Sequence, residues 1–219
     1  MKLQGLKIAF LGDSITEGVG TSAPENIYLN VLKKEAGLKE ALNYGASGTR
    51  FARQKLLNTD EAIELDNNSF SVRFETMDNS ADAVVVFGGT NDFGHGDAPL
   101  GTFDDRCPDT FYGACHYLFS GLIKKYLGKP VVIMTPLHRC EETLTDTEGN
   151  PKHLSDYVNI IREVAEFYSL PLLDLYASSG IQPLIDEVKR LYMPDGLHPS
   201  DDGNRVIASR LKNFMEFCL

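Results

Sequence analysis

The chain has no excess of basic residues: 21 Lys and Arg face 31 Asp and Glu, a net charge of −10 over 219 residues. Such a surface repels phosphate backbones and anionic lipid alike, so neither nucleic acid nor a membrane surface is an expected partner. No apolar run approaches the length of a membrane span. Near the start, the apolar stretch Ile8-Ala9-Phe10-Leu11 ends at Gly12-Asp13, too short for the core of a secretory signal. The reading is a cytoplasmic protein, or one from which a leader has been removed. Cysteine is sparse. Cys107, Cys115, Cys140 and Cys218 include no C-x-x-C pair and read as reduced thiols rather than a disulfide framework. Cys140 follows Arg139, which favours a thiolate, yet an ordinary thiol is the preferred reading.

Among what is present, 42% of residues are apolar and 24% charged, an ordinary globular balance. Four short apolar runs read as buried strands: Leu6 to Leu11, Ala83 to Phe87, Pro130 to Met134 and Pro171 to Leu175. Ala83-Val84-Val85-Val86-Phe87 is apolar on both faces, as a central strand of a parallel sheet must be when helices cover both sides. A fifth run, Ala41 to Tyr44, is weaker and is placed nearer an edge. Helical stripes fall between the runs, over Ile27 to Ala36, Phe111 to Leu127, Tyr157 to Tyr168 and Val206 to Met215. Ser200 is the expected N-cap of the last, with Asp201 and Asp202 in its first turn. This alternation implies βαβ units and a three-layer α/β/α sandwich. No repeat, low-complexity tract or linker appears, so residues 1–219 are expected to form one domain. Ser69 to Met77 fits helix or strand by periodicity. The stretches Gly94 to Asp109 and Pro136 to Lys152 follow strands, and therefore emerge at the carboxyl edge of the sheet, where open α/β folds bind ligands.

Four segments at strand ends or helix entries carry chemistry. Gly12-Asp13-Ser14-Ile15-Thr16-Glu17-Gly18 follows the first strand. It lacks the Gly-Lys-Ser/Thr of a Walker loop, the spacing G-x-G-x-x-G and the elbow G-x-S-x-G. A serine there can be exposed over its own amide at a helix entry. Asn43-Tyr44-Gly45-Ala46-Ser47-Gly48-Thr49 can offer a bare amide. Gly88-Gly89-Thr90-Asn91-Asp92 leaves the sheet sharply and projects the amide of Asn91 into the same crevice. Asp195-Gly196-Leu197-His198 sets a carboxylate three residues before an imidazole, close enough to accept from Nδ1–H and leave Nε2 as a base. Each segment alone has a bland reading as a turn. Jointly they supply a nucleophile (Ser14), a base (His198), an orienter (Asp195) and oxyanion donors (the amides of Ser14 and Gly48, the side chain of Asn91).

In these blocks the chain resembles the SGNH (GDSL) hydrolases, whose signature residues Ser, Gly, Asn and His occur in that order. The matches run from residue 12 to 198. The resemblance implies a flavodoxin-like sheet of about five parallel strands in the order 2-1-3-4-5. It also implies hydrolysis of esters or thioesters through an acyl-enzyme, with no metal and no other cofactor. Gly48 rather than Gly45 is assigned as oxyanion glycine, because the family's donor glycine occupies the later position.

Asp13, Arg50, Asp92, His95 and His138 are candidates for substrate contacts. Arg50 is placed to clamp a carboxylate or phosphate, or else to form a surface ion pair. Glu17 is read as a partner of helix N–H groups or solvent, and His116 as a core histidine. A hard-metal site built from Asp92, His95, Asp97 and Asp104 is the weaker alternative to solvated loop acids. The Gly, Asp and Pro of Gly94 to Asp109, with Phe93, Phe103 and Phe111 around them, suit a small acyl group such as acetyl on a polar or sugar-like alcohol. A lysophospholipase, an acyl thioesterase and a non-hydrolytic flavodoxin-like nucleotide-binding module are the alternatives.

Overall fold

The computed structural model describes residues 1–146 and 149–217, so Cys218 lies outside the described residues. The strands are β1 (Lys7–Gly12), β2 (Glu40–Gly45), β3 (Ala83–Phe87), β4 (Val131–Met134), β5 (Thr143–Thr145), β6 (Pro151–His153) and β7 (Leu172–Leu173). Five of them form a parallel sheet in the order β2-β1-β3-β4-β7. This is the expected 2-1-3-4-5 order, counted over the strands of the sheet. β5 and β6 form a separate antiparallel hairpin within the Pro136 to Lys152 stretch. The helices are α1 (Ser14–Glu17), α2 (Tyr28–Ala36), α3 (Asp60–Asn67), α4 (Phe70–Arg73), α5 (Thr90–His95), α6 (Phe111–Lys125), α7 (Leu154–Phe167), α8 (Leu175–Ser178), α9 (Asp186–Tyr192) and α10 (Asp201–Phe217). No helix among the described residues is long and apolar enough to cross a membrane.

The central strands explain the layers. β1, β3 and β4 are buried along almost their whole length, and their side chains alternate between two cores. Ala9, Leu11, Val84, Val86, Val131 and Ile133 pack under α6 and α7. Ile8, Phe10, Val85, Phe87, Val132 and Met134 pack under α2 and α10. Each such side chain contributes about 1.5–3 kcal/mol on full burial, which no edge strand can match. β2 is only half-buried, as its weaker apolar pattern anticipates.

Three local expectations needed the tertiary structure to resolve. The Pro171 to Leu175 run is a strand only at Leu172–Leu173, because Asp174 caps α8 by accepting from Ala177 N and turns the chain. The ambiguous Ser69 to Met77 segment is helical, as α4 followed by a 3-10 turn over residues 74–76. Phe93 and Phe111 are fully buried core residues, so they do not line the crevice. Register then sets the site. Gly12 pairs with Gly45 on one side and Phe87 on the other, so the loops after β1, β2 and β3 leave the sheet at one level.

Candidate active site

Ser14 opens α1 directly after β1. The Asp13 carboxylate caps this turn by accepting from Ile15 N at 3.0 Å. Ser14 is 7% exposed, and its Oγ lies 3.1 Å from His198 Nε2. On the other side of the ring, His198 Nδ1 is 2.7 Å from Asp195 Oδ2. Asp195 Oδ1 accepts from the backbone amides of Leu197 and His198 at 2.8 and 2.7 Å. Partial burial pushes the Asp195 carboxyl up, but hydrogen bonds from the His198 backbone and ring and the Leu197 backbone outweigh it and hold the group below its ordinary value. The loop is fastened from behind. Cys140 N donates to Gly196 O at 2.9 Å. The buried Asn204 side chain donates to Pro199 O at 3.0 Å and accepts from Tyr28 N at 2.9 Å.

The other two blocks converge on the same end of the sheet. Asn91 Nδ2 donates to Thr49 O at 3.0 Å, which joins α5 to the loop carrying Gly48. One of its two amide hydrogens is used there. Gly48 has a positive φ of 73°, a conformation that favours glycine. Among the described residues, the backbone amides of Ser14 and Gly48 find no acceptor. These groups are therefore available to an oxygen carrying developing negative charge.

Several residues that build this cradle escaped the sequence reading. Arg73 lies behind it, donating to Gly12 O at 3.0 Å, Thr49 Oγ1 at 2.8 Å, Asn68 O at 2.7 Å and Tyr44 O. One guanidinium thus ties the ends of β1 and β2 to the Gly48 loop. Burial lowers its pKa to about 10, against the pull of Asp13 and Glu17, so it is a cation at neutral pH. Glu17 accepts from Ser47 N at 2.7 Å and from the Ser47 hydroxyl, so it braces the loop rather than meeting solvent. Asn43 bridges the same two segments, donating to Thr16 O and accepting from Gly45 N. Glu17 and Asn43 lie inside the motif blocks, whereas Arg73 lies 24 residues after Thr49 and carries no sequence signal.

The remaining candidates divide. Asp13 and Asp92 are turned inward, and their carboxylates serve backbone amides rather than a ligand. Asp92 accepts from Phe51 N and Ala52 N at 3.0 to 3.1 Å, and burial raises its pKa to about 6 against those donors. Burial raises Asp13 to about 6 as well. Asp97 caps Lys55 N and Leu56 N, and among the described residues no group of His, Cys, Asp and Glu could hold a metal ion. The alternative built on Asp92, His95, Asp97 and Asp104 therefore fails. His138 lies tilted against Tyr176, with ring centroids 3.9 Å apart, and pairs through Nδ1 with Glu142 at 2.6 Å. It borders a small recess with Asp13, Thr90, Arg139 and Leu197. His95 is exposed at the end of α5. Arg50 is half-buried, with Nε 3.4 Å from Gly48 O. His116 is buried against Phe103, Phe167 and Tyr168.

Known proteins resemble this chain. A family model described as GDSL-like Lipase/Acylhydrolase matches residues 10–206. A crystal structure of a protein from Lactobacillus plantarum is 30% identical over 97% of both chains, with a TM-score of 0.82. The lipase/acylhydrolase from Enterococcus faecalis is 21% identical over 96% of this chain and 95% of its own, with a TM-score of 0.60. An acetyl xylan esterase is 22% identical over 94% of this chain and 98% of its own, with a TM-score of 0.62. A search of curated proteins returned no match. With the family model covering all four blocks, the chain belongs to the GDSL-like lipase/acylhydrolase family and is a hydrolase.

Proposed function

We propose that the protein is a serine esterase that cleaves short acyl groups, acetyl above all, from a polar or carbohydrate alcohol through an acyl-enzyme. The observation that carries this reading is the chain of contacts Ser14 Oγ to His198 Nε2 at 3.1 Å and His198 Nδ1 to Asp195 at 2.7 Å. Ser14 Oγ attacks the ester carbonyl carbon while His198 Nε2 takes its proton. Asp195 fixes the tautomer and stabilises the imidazolium. The carbonyl oxygen, now anionic, is held by Ser14 N, Gly48 N and Asn91 Nδ2, each donor contributing on the order of 3 kcal/mol. The imidazolium then protonates the departing alcohol. Water, activated by the same histidine, releases the acid and restores Ser14.

A small acyl group is favoured by the small size of the recess beside Asp13, Ile15 and Leu197, while Phe93 and Phe111 pack into the core. The shared fold of an acetyl xylan esterase is consistent with this choice. A nucleotide-binding role is disfavoured by the Asp13 carboxylate, which occupies the start of α1 where a phosphate would sit.

The test is Ser14→Ala assayed on aryl acetate, butyrate and octanoate. Loss of at least about 10⁴-fold in kcat is expected, with the wild type fastest on acetate. Retention of most activity by the variant would remove Ser14 as nucleophile. A fluorophosphonate probe is expected to label the wild type at Ser14 and to leave the variant unlabelled.

A further inference from the structure

Among the described residues, five of the 21 Lys and Arg pair with a carboxylate side chain. Lys7 pairs with Glu40 and Asp78, Arg53 with Asp66, Arg162 with Asp174, Arg205 with Asp202 and Lys212 with Glu216. Three cations around α5 do not. Arg139 Nη1 donates to Thr90 O and Thr90 Oγ1 at 3.3 and 3.2 Å. Lys152 Nζ donates to Gly96 O at 2.8 Å. Arg50 Nε lies 3.4 Å from Gly48 O. Their hydrogen-bond partners are neutral oxygens, Arg139 and Lys152 also lie over the rings of Phe93 and Tyr157, and among the described residues none of the three forms an ion pair. Arg139 Nε is moreover buried with no hydrogen-bond partner. The acids of the neighbourhood are engaged elsewhere. Asp92 and Asp97 accept from backbone amides. Glu142 accepts from His138, Arg139 N and the Tyr176 hydroxyl. Asp146 accepts from Asn150.

The three groups flank the oxyanion cradle. Arg50 follows Gly48 by two residues, and Arg139 is bonded to Thr90, next to Asn91. Lys152 reaches across from β6 to the residue after α5. Gly94 makes room, because a Cβ there would lie 2.9 Å from Arg139 Nη1. Arg139 lines the small recess beside Asp13 and Leu197, and all three cations lie close enough to act on His95. Such a cluster of unpaired cations suits an anion, and two guanidinium groups suit a carboxylate or phosphate with its paired oxygens.

We propose that Arg50, Arg139 and Lys152 form a subsite for a negatively charged group on the substrate, so that the enzyme prefers esters bearing a carboxylate or phosphate near the scissile bond. This rests on the serine esterase reading and narrows its alcohol or acyl portion to an acidic one. The net charge of −10 then keeps indiscriminate polyanions away while this local patch selects a small one.

The experiment compares kcat/KM within two matched pairs. One is an aryl hemisuccinate against the neutral aryl butyrate, for charge on the acyl side. The other is a carboxyphenyl acetate against phenyl acetate, for charge on the alcohol side. In one pair the anionic member is expected to be preferred by about 10- to 100-fold. The preference should shrink by about tenfold in Arg139→Gln and in Lys152→Gln, and in the wild type as salt is raised to about 0.5 M. The ratio is internal to each variant, so a general loss of activity does not mimic the effect. Lys152→Gln lies on a surface hairpin and tests the idea even if Arg139→Gln misfolds. Equal or better turnover of the neutral member in both pairs overturns the subsite, as does a preference unchanged in Lys152→Gln. Either result leaves the esterase reading intact if Ser14 still labels with fluorophosphonate. Absence of both labelling and hydrolysis overturns the esterase reading and the subsite together.

Discussion

Two loops leave the same edge of the sheet and are built in opposite ways. The segment 45–52, after β2, is pinned at nearly every residue. Glu17 holds Ser47, Arg73 and Asn91 hold Thr49, and Asp92 holds Phe51 and Ala52. Phe51 is fully buried, with its ring 4.8 Å from Phe70 and 5.8 Å from Phe111. Among its described residues, the segment 136–153, after β4, is fastened mainly at its base. Cys140 and Glu142 anchor that end, and beyond them the β5–β6 hairpin is largely exposed. The first arrangement suits groups that must hold a fixed distance from a reacting atom, because rearranging preorganised donors during the reaction would cost what they gain. The second suits contacts that vary with the substrate.

The contrast can be broken in order of effect. Asn91→Ala strikes the pinned side hardest: kcat is expected to fall by about 10²- to 10³-fold with little change in KM, read by steady-state kinetics on an aryl acetate. A drop confined to KM would place Asn91 outside the oxyanion cradle. Asp92→Ala should then cost about 1–3 kcal/mol in denaturant unfolding, because the buried amides of Phe51 and Ala52 lose their acceptor. The same measurement on Lys152→Gln should move by no more than about 0.5 kcal/mol, since the hairpin contributes little to the core. Comparable losses in the two variants would erase the distinction between the loops.

The smallest effect concerns pH. Although the His95 ring is exposed, partial desolvation by its neighbours, then the charges of Arg50, Arg139 and Lys152, lower its pKa from 6.5 to about 4. Between those values only the unfolded chain takes up the proton, so acidification through this window favours unfolding, and the full contribution is present above the unfolded value. His95→Gln removes that term. Its fall in Tm between about pH 7.5 and about pH 5 should be smaller than that of the wild type. An equal or larger fall would mean that the His95 pKa is not depressed in the folded protein.

Which features were legible in the sequence follows from how local their causes are. Buried strands announce themselves by being apolar on both faces, so β1, β3 and β4 were readable to within a residue or two, and sheet order followed from the family resemblance. β7 was overextended because the apolar run continues past Asp174, whose capping role depends on Ala177. The four motif blocks were readable because each needs particular residue types at a strand end. Arg73 and Glu17 were not, since their partners are backbone and hydroxyl groups far away in sequence, and such partners leave no pattern. Asp13 and Asp92 misled for the same reason. An acid beside a motif looks available until the amides it accepts from are known.

The proposed base and its carboxylate sit in a single tetrapeptide, Asp195 to His198, closed on itself by its own amides. The pair therefore travels as one rigid part. Cys140 and Asn204 hold the turn from outside, and one long-range distance, from imidazole to serine hydroxyl, decides whether the proposed assembly is armed. A shift of that short turn relative to α1 would disarm the enzyme while leaving every contact within the pair unaltered.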